Sequence, residues 1–268
     1  MEWLDLAKQL PIGNHGRCEC PECGIGSGSK AAIYNHSHKA YSLYCNACGA
    51  QPFHMKGKLT LTELRELEDL NEQAKRGLQR PLELPADFTT DISLQGRLWL
   101  YKAGLSPTDW AKYGIGYSES SRRVVLPVYG EQGQLVWQQQ RAVISGQSPK
   151  YLQPARDKGE TVFMAVPEQG TTRRVVVVED ILSAIRVGKH QTAISILGTK
   201  LSAGQAKKLS QFDEVTTWLD GDSAGRAGSK AIRKSMSLVT RVSNIQTELD
   251  PKEYSDHEIR RILNVSTT

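Results

Sequence analysis

Short apolar runs alternate with segments of helical periodicity in the C-terminal part of the chain, from residue 173 onward. The continuous β-branched run in RRVVVVED predicts a buried strand, and the following ILSAIRVGKH predicts a helix. The alternation continues through TAISILG, SAGQAKKLSQF, EVTTWLD, AGSKAIRKSM and LVTRVSNIQ. Because strands that alternate with helices build parallel sheets, this region is predicted to be an α/β layer.

The pattern before residue 173 is more irregular and predicts smaller elements. LQGRLWLYKAGLSPTDWAKYGIGY indicates two short helices, with Ser106 at an N-cap and Pro107 at the first helical position. RRVVLPVYGEQGQLVWQQQR indicates a strand hairpin around a glycine-bearing turn. LTLTELRELEDLNEQAKRGLQR has leucines at helical spacing and indicates a helix or tether, and the prolines of PLELPADF mark a boundary.

Composition adds bounds to this organisation. The chain has 268 residues, 39% hydrophobic and 24% charged, which is enough apolar material for a core. Its net charge of +5 is a mild basic bias, compatible with an anionic partner. No apolar run is long enough to span a bilayer, and MEWLDLAKQL does not resemble a signal peptide. We therefore expect a soluble protein of the cytoplasm.

The cysteines all lie before residue 50 and indicate a metal site. Cys20 and Cys23 form one Cys-x-x-Cys pair, Cys45 and Cys48 form another, and 21 residues separate the pairs. Two such turns supply four thiolates to one tetrahedral Zn²⁺ with no open position, so the predicted role is structural. The alternatives are that Cys18 replaces Cys20, or that the thiols bind no metal.

The segment between the cysteine pairs mixes aromatic and basic residues. Tyr34 and Lys39 are candidates for nucleic-acid contact, since aromatic rings stack on unpaired bases and lysines neutralise phosphates. The alternative is that the tyrosines, which include Tyr41 and Tyr44, fill the core of a small ribbon. Four histidines lie nearby in the sequence. They are either polar surface residues or residues that bind zinc or nucleic acid: His15, His36, His38 and His54.

Acidic residues fall at the predicted carboxyl ends of two strands. Glu179 closes one, Asp220 closes another, and Asp222 follows after one glycine. If these strands are neighbours, the carboxylates converge and repel, which a bound Mg²⁺ or Mn²⁺ relieves. The alternative for Asp222 is a helix cap before SAGRAG. The glycines there expose N–H groups to an anion, and Arg226 either assists or is only a solvated charge.

The acidic motifs together with SAGRAGSKAI and SILGTKLSAGQAKKL resemble the Toprim domain of primases, topoisomerases and some nucleases. Upstream, RVVLPVYGEQGQLVWQQQRAV and SPKYLQP resemble the N-terminal part of the RNA polymerase domain of primases, which a zinc ribbon precedes. The primase half of phage primase–helicases is the nearest likeness. The resemblance implies a zinc ribbon over 1–56, a linker or helix over 57–86, an α+β N-terminal subdomain over 87–170 and a Toprim parallel-sheet domain over 171–268.

The resemblance also implies roles for individual residues. Glu179 corresponds to an acid that binds metal or assists proton transfer, Asp220 and Asp222 to the metal-binding pair, and Asp250 to a further acidic position near the metals. Arg141 and Lys150 correspond to basic residues that hold template or nucleotide phosphates. The cysteine pairs correspond to zinc ligands. The chain departs from the family at the first acidic motif. The family usually has Gly after the Glu and Asp four residues after it, where this chain has Asp180 and Ser183. One acidic contact is therefore either missing or replaced by Asp180.

The function implied is synthesis of short RNA primers on single-stranded DNA from ribonucleoside triphosphates, by nucleotidyl transfer with Mg²⁺ or Mn²⁺. A chain without a helicase motor is expected to work with a separate replicative helicase, in a bacterial host if it is encoded by a bacteriophage. The altered first motif motivates the alternative of a non-catalytic DNA-binding or recombination-mediator protein. A Toprim nuclease is a third possibility.

Overall fold

A computed structural model describes residues 2–24, 30–45, 48, 50–57, 60, 62, 65, 81–154, 158–170 and 173–264. The chain divides into two compact units, Met1–Arg80 and Pro81–Thr268. Most of the segment predicted as a helix or tether lies outside the described residues. Among those that are described, no helix is both long and apolar enough to cross a lipid bilayer.

The first unit is a small antiparallel sheet with one helix. Its elements are α1 (Trp3–Gln9), β1 (His15–Glu19), β2 (Lys30–Ser37), β3 (Ala40–Tyr44) and β4 (Phe53–Met55). The strands pair in chain order. One face of this sheet forms a small core around Ile33 and Leu43, to which α1 contributes Ala7. Tyr41 is buried in that core, whereas Tyr34 and Tyr44 are only half-buried.

The second unit begins with an antiparallel sheet and two short helices, which confirms the α+β subdomain. Its elements are β5 (Phe88–Thr89), α2 (Leu94–Lys102), α3 (Pro107–Lys112), β6 (Gly116–Ser118), β7 (Arg123–Tyr129), β8 (Leu135–Ala142) and β9 (Tyr151–Leu152). Strands β7 and β8 form the predicted hairpin, in which Val124 lies opposite Arg141. Ser106 caps α3, and its hydroxyl and amide exchange hydrogen bonds with Asp109. Pro107 is the first helical residue, as predicted.

The rest of the second unit is a mainly parallel sheet with helices on both faces. Its elements are β10 (Phe163–Ala165), β11 (Arg174–Val178), α4 (Ile181–Gly188), β12 (Ala193–Ser195), α5 (Ala203–Leu209), β13 (Glu214–Thr217), α6 (Ser223–Met236), β14 (Arg241–Asn244), a 3₁₀ helix (Pro251–Glu253) and α7 (Asp256–Leu263). The strand order is β10-β12-β11-β13-β14, and only β10 runs antiparallel. The pattern analysis did not identify β10, which lies within 87–170 yet pairs with β12.

The parallel sheet is buried on both faces, which explains its continuous valine run. Val176 and Val178 face a core that also contains Leu100 and Val124 from the antiparallel subdomain. Val175 and Val177 face a second core, which Ile232 of α6 completes. Burial of both faces holds β11 in register with β13. The register determines where the residues beyond the carboxyl ends of the two strands meet.

Candidate metal and nucleic-acid sites

The four predicted zinc ligands meet at one point of the first unit. Their sulfur atoms all lie within 4.8 Å of one another. Cys20 Sγ is 3.6 Å from Cys48 Sγ, and Cys23 Sγ is 3.8 Å from Cys45 Sγ. Zinc–thiolate bonds of about 2.3 Å in a tetrahedron require sulfur atoms about 3.8 Å apart, so the donor set and its spacing fit Zn²⁺. Gly24 has a φ of 88°, a left-handed conformation that favours glycine in the turn after Cys23.

Cys18 does not belong to the four-cysteine set. It lies on β1 opposite Ala31, and only 8% of its surface is exposed because it packs into the core of the sheet. The alternative in which Cys18 replaces Cys20 is therefore not supported by the geometry. The histidines also lie outside the set of sulfur atoms, and His36 instead pairs with the Ser42 hydroxyl at 2.7 Å.

A row of rings crosses one face of the small sheet. Tyr34 lies between His15 and His36, with ring centroids 5.8 and 6.0 Å apart, and His36 contacts Phe53 at 6.3 Å. Phe53 is 60% exposed, which is unusual for a large apolar side chain. Lys39 lies in the turn between β2 and β3. This face therefore presents stacked rings, whereas Tyr41 is in the core and its hydroxyl donates to the His38 carbonyl.

The carboxyl ends of β11 and β13 bring the predicted acidic residues together. Val177 and Thr217 are paired in adjacent parallel strands, so Glu179 and Asp220 follow them at the same edge of the sheet. The Asp220 amide donates to Glu179 Oε1 at 3.2 Å. Gly225 makes this approach possible, because a Cβ there would collide with the Asp220 carbonyl and lie 2.9 Å from Glu179 Oε1.

Asp222 lies beside them and also caps a helix. Its Oδ1 accepts a hydrogen bond from the Gly225 amide at 2.8 Å. This is the helix-cap role that the sequence offered as an alternative to metal binding. Among the described residues, only the four cysteines form a group of three or more side chains already arranged to hold a metal ion. The carboxylates of Glu179, Asp220 and Asp222 are thus neighbours, but they are not arranged as a formed metal site.

Burial and mutual repulsion make the acidic edge electrostatically strained. Burial raises the pKa of Glu179 to about 6, with the negative charges of Asp222, Asp180 and Asp250 adding to the shift. Burial raises the pKa of Asp220 to about 7 against the opposing charge of Lys252. Asp220 Oδ1 is buried without a hydrogen-bond partner. Oxygen donors that repel, one of them unpaired, fit a hard divalent cation.

Two further residues of the acidic edge were not identified as site residues from the sequence. Lys252 Nζ lies 2.9 Å from Asp180 Oδ2 and 2.7 Å from Asp250 Oδ2. Asp180, noted only as a departure from the family pattern, caps α4 by accepting from the Ser183 amide at 3.0 Å. No local pattern marks Lys252, because its partner Asp180 is 72 residues away in the chain.

The predicted basic residues occupy different environments. The Arg141 guanidinium lies over the Tyr151 ring at 4.9 Å and the Trp99 ring at 5.5 Å, and its Nε and Nη1 are buried without a hydrogen-bond partner. The Asp180 and Asp220 charges help burial to raise the pKa of Tyr151, the ring over which the Arg141 guanidinium lies. Lys150 is exposed, and only its backbone carbonyl contacts the buried Arg123.

A cavity of about 230 Å³ opens beside Asp220, between α6 and the segment that follows β14. Three basic side chains at helical spacing line it, those of Arg226, Lys230 and Arg233. Arg226 Nη1 also donates to the Gly221 carbonyl at 2.6 Å. Arg226 is therefore part of a basic surface next to the acidic edge, rather than an isolated solvated charge.

Comparison with known proteins relates the chain to bacterial primases. Residues 176–255 match the family described as Toprim-like. The chain is 31% identical to the DNA primase of Aquifex aeolicus over 182 residues, which are 60% of this chain and 35% of that protein. It is 30% identical to the DNA primase of Myxococcus xanthus over 196 residues, which are 66% of this chain and 32% of that protein. The chain spans about a third of the length of these relatives.

Solved structures confirm the fold. The zinc-binding and RNA polymerase domains of the Aquifex aeolicus primase match 98% of this chain and 83% of that one, with a TM-score of 0.55 and 19% identity. The DnaG primase catalytic domain bound to single-stranded DNA matches 74% of this chain and 76% of that one, with a TM-score of 0.52 and 18% identity. The sequence matches make the chain similar to bacterial DNA primases, with a Toprim-like domain over residues 176–255, and the solved structures show the same fold. The likeness to phage primase–helicases stays a prediction.

Asp220→Asn should change how the stability of the metal-free second unit depends on pH. Because the folded pKa of about 7 lies above the unfolded value of about 3.9, protonated Asp220 stabilises the fold at low pH, and this contribution is lost as pH rises through 7. After discounting for solvent screening, we expect the loss between pH 5 and pH 8 to be about 1–2 kcal/mol. Thermal unfolding scans over this pH range should show a smaller loss of stability in Asp220→Asn than in the wild type.

Added Mg²⁺ provides the matched comparison. Mg²⁺ should raise the thermal unfolding midpoint of the wild type at pH 8 by several degrees and have little effect on that of Asp220→Asn. Asp213→Asn is the control, because this carboxylate pairs with Arg173 and has a lowered pKa. An equal Mg²⁺ response in wild type and Asp220→Asn would contradict a divalent site at Asp220.

Zinc content should depend on Cys48 and not on Cys18. Cys48→Ser removes one of the four sulfur donors, so we expect retention of zinc to fall at least tenfold, with loss of structure in the first unit. Cys18→Ala should keep one zinc per chain, although it removes a buried side chain. Zinc release measured with a colorimetric chelator, alongside circular dichroism, checks this. Equal zinc loss in both variants would contradict the assignment.

Proposed function

We propose that this protein is a DNA primase that synthesises short RNA primers on single-stranded DNA from ribonucleoside triphosphates by nucleotidyl transfer. The observation that carries the proposal is the meeting of Glu179, Asp220 and Asp222 at one sheet edge, with the unpaired guanidinium N–H groups of Arg141 nearby. Similarity to primases supports it. We retain the domain boundaries given by the sequence, with β10 added to the Toprim sheet.

Glu179, Asp220 and Asp222 are the residues that would hold Mg²⁺ or Mn²⁺. When bound, the ion supplies positive charge that stabilises the phosphoryl oxygens during nucleotidyl transfer. The protein contributes the partial burial of Glu179 and Asp220, which reduces their hydration and strengthens their interaction with cations. Asp250, the fourth predicted ligand, already has one oxygen bound by Lys252.

Arg141 would bind a phosphate. Its guanidinium is held between aromatic rings, so little side-chain entropy is lost when its buried N–H groups find an acceptor. A buried donor without a partner is costly, and a phosphate oxygen removes that cost. Lys150 is exposed and would contribute only a screened charge to a template or nucleotide phosphate. The basic surface of Arg226, Lys230 and Arg233 extends phosphate binding beyond Asp220.

The zinc ribbon would bind the template through its ring row. Tyr34 and the rings beside it offer faces for stacking with unpaired bases, and Lys39 lies at the edge of the same sheet. The zinc ion would have a structural role, since four cysteines leave no open coordination position. We further propose a separate replicative helicase as a partner and the bacterial cytoplasm as the location, with bacteriophage origin remaining a prediction.

The non-catalytic alternative keeps the same fold and predicts a different experiment. A DNA-binding or recombination-mediator protein would bind single-stranded DNA without incorporating nucleotides. Similarity to primases over much of the chain does not favour it.

Incubation with labelled ribonucleotides, Mg²⁺ or Mn²⁺ and single-stranded DNA of varied sequence should yield short oligoribonucleotides on a denaturing gel. Asp220→Asn and Asp222→Asn should reduce the rate at least a hundredfold, because they remove ligands that neutralise transition-state charge. DNA binding should change little in these variants, and Asp213→Asn should remain active. Absence of product on every template, with or without a replicative helicase, would overturn the proposal.

Arg141→Gln should weaken binding of single-stranded DNA or nucleotide by tenfold or more, because a charged hydrogen bond contributes about 1.5–3 kcal/mol. Lys150→Gln should weaken it only a few fold and reduce its salt dependence. Lys112→Gln, an exposed lysine that contacts the Val166 carbonyl, is the control. Fluorescence anisotropy at several salt concentrations measures both effects. Wild-type affinity in Arg141→Gln would contradict the assigned role.

A further inference from the structure

Lys252 places a positive charge inside the acidic edge. It lies on the 3₁₀ helix, and its side chain is 23% exposed. Its Nζ donates to Asp180 Oδ2 at 2.9 Å and to Asp250 Oδ2 at 2.7 Å. One ammonium therefore joins the start of α4 to the segment that precedes the 3₁₀ helix.

The contacts of Asp180 leave its carboxylate little capacity for another ligand. Oδ1 accepts from the Ser183 amide at 3.0 Å. Oδ2 accepts from the Ser183 hydroxyl at 3.0 Å and from Lys252. Both oxygens of Asp180 are thus engaged, by its own helix and by the ammonium. Asp220 differs, because its Oδ1 is buried and unpaired.

Charge neutralisation gives the lysine a physical role at this edge. Glu179, Asp220 and Asp222 are crowded by the further negative charges of Asp180 and Asp250. The charge of Lys252 is the main influence that opposes the effect of burial on Asp220. The neighbouring aspartates in turn raise the pKa of Lys252, so it remains charged at physiological pH. A fixed ammonium thus does part of what an added cation would do.

We propose that Lys252 takes the place of a second divalent cation, so that this chain binds one ion at Glu179, Asp220 and Asp222 while Asp180 and Asp250 stay paired with the ammonium. The inference rests on the metal site of the proposed function. In it Asp180 and Asp250 are positioning residues, and Asp250 is not a metal ligand.

Counting bound Mn²⁺ tests the inference without an activity assay. The zinc-loaded full chain is titrated with Mn²⁺ and followed by electron paramagnetic resonance. Wild type should bind one Mn²⁺ outside the zinc site. Lys252→Met should bind a second, because Asp180 and Asp250 lose their counter-ion, and Lys252→Arg should bind one. Adding Asp180→Asn to Lys252→Met should return the number to one.

Lys189→Met is the matched control. Lys189 is also partly buried and pairs with one aspartate, Asp109, at 2.8 Å, but it lies outside the acidic edge. This variant should bind one Mn²⁺. A folded Lys252→Met that also binds one Mn²⁺, with unchanged affinity, would overturn the inference.

A second measurement does not depend on the folding of Lys252→Met. In the otherwise wild-type chain, Asp180→Asn and Asp250→Asn should change the affinity for Mn²⁺ by no more than a few fold, whereas Asp220→Asn should reduce it at least a hundredfold. A loss in Asp250→Asn as large as in Asp220→Asn would make Asp250 a ligand and overturn the inference. Wild type that binds no Mn²⁺ would instead remove the proposed metal site itself.

Discussion

Repulsion between acidic side chains at one end of a buried sheet is the constraint on which the rest of the second unit depends. Parallel pairing of β11 with β13 brings Glu179 against the Asp220 backbone, in surroundings that disfavour charge. The fold accepts this cost because the packing of the valine run on both faces leaves the strands no other register. The polar contacts near this edge can be understood as compensating for the repulsion between the acidic side chains.

The responses differ in how permanent they are. Lys252 is part of the chain, so its charge is always present and its position is set by the 3₁₀ helix. A divalent ion at Asp220 would be exchangeable, and it could share its charge with a phosphate. The neighbouring Arg141 carries the opposite deficit, since its buried N–H groups lack acceptors. An acidic edge short of cations beside a guanidinium short of anions is complementary to a metal–phosphate pair.

Local patterns predicted the elements and the residues that belong to short motifs. The valine run, the hairpin, the Ser106 cap and the cysteine pairs are each encoded within a few consecutive residues, and the structure confirms them. Glu179 was predicted to lie near Asp220 on the condition that their strands are neighbours, because parallel neighbours end at one edge, and the structure pairs these strands. Strand β10 was missed because three residues carry too little periodicity to distinguish a strand from a loop.

The features that sequence reasoning missed depend on contacts between distant segments. Lys252 gains its role from Asp180, and Arg141 gains its buried setting from Trp99 on another element. The sequence offered two alternatives for Asp222, a metal ligand or a helix cap, and the structure does not make them mutually exclusive. A carboxylate has two oxygens, and Asp222 uses Oδ1 as a helix cap.

The substitution of Asp180 and Ser183 for the usual Gly and Asp takes on a physical meaning in this setting. Asp180 keeps a negative charge at the start of α4, but the charge is bound by Ser183 and Lys252. Loss of the usual acid and the pairing of Lys252 with Asp250 act in the same direction, since both lower the number of carboxylates open to a cation. Under the proposal made for Lys252, the departure replaces one exchangeable charge by a fixed one and does not remove the metal site, because Glu179 and Asp220 stay partly buried at the sheet edge and Asp222, although exposed, stays beside them as a helix cap.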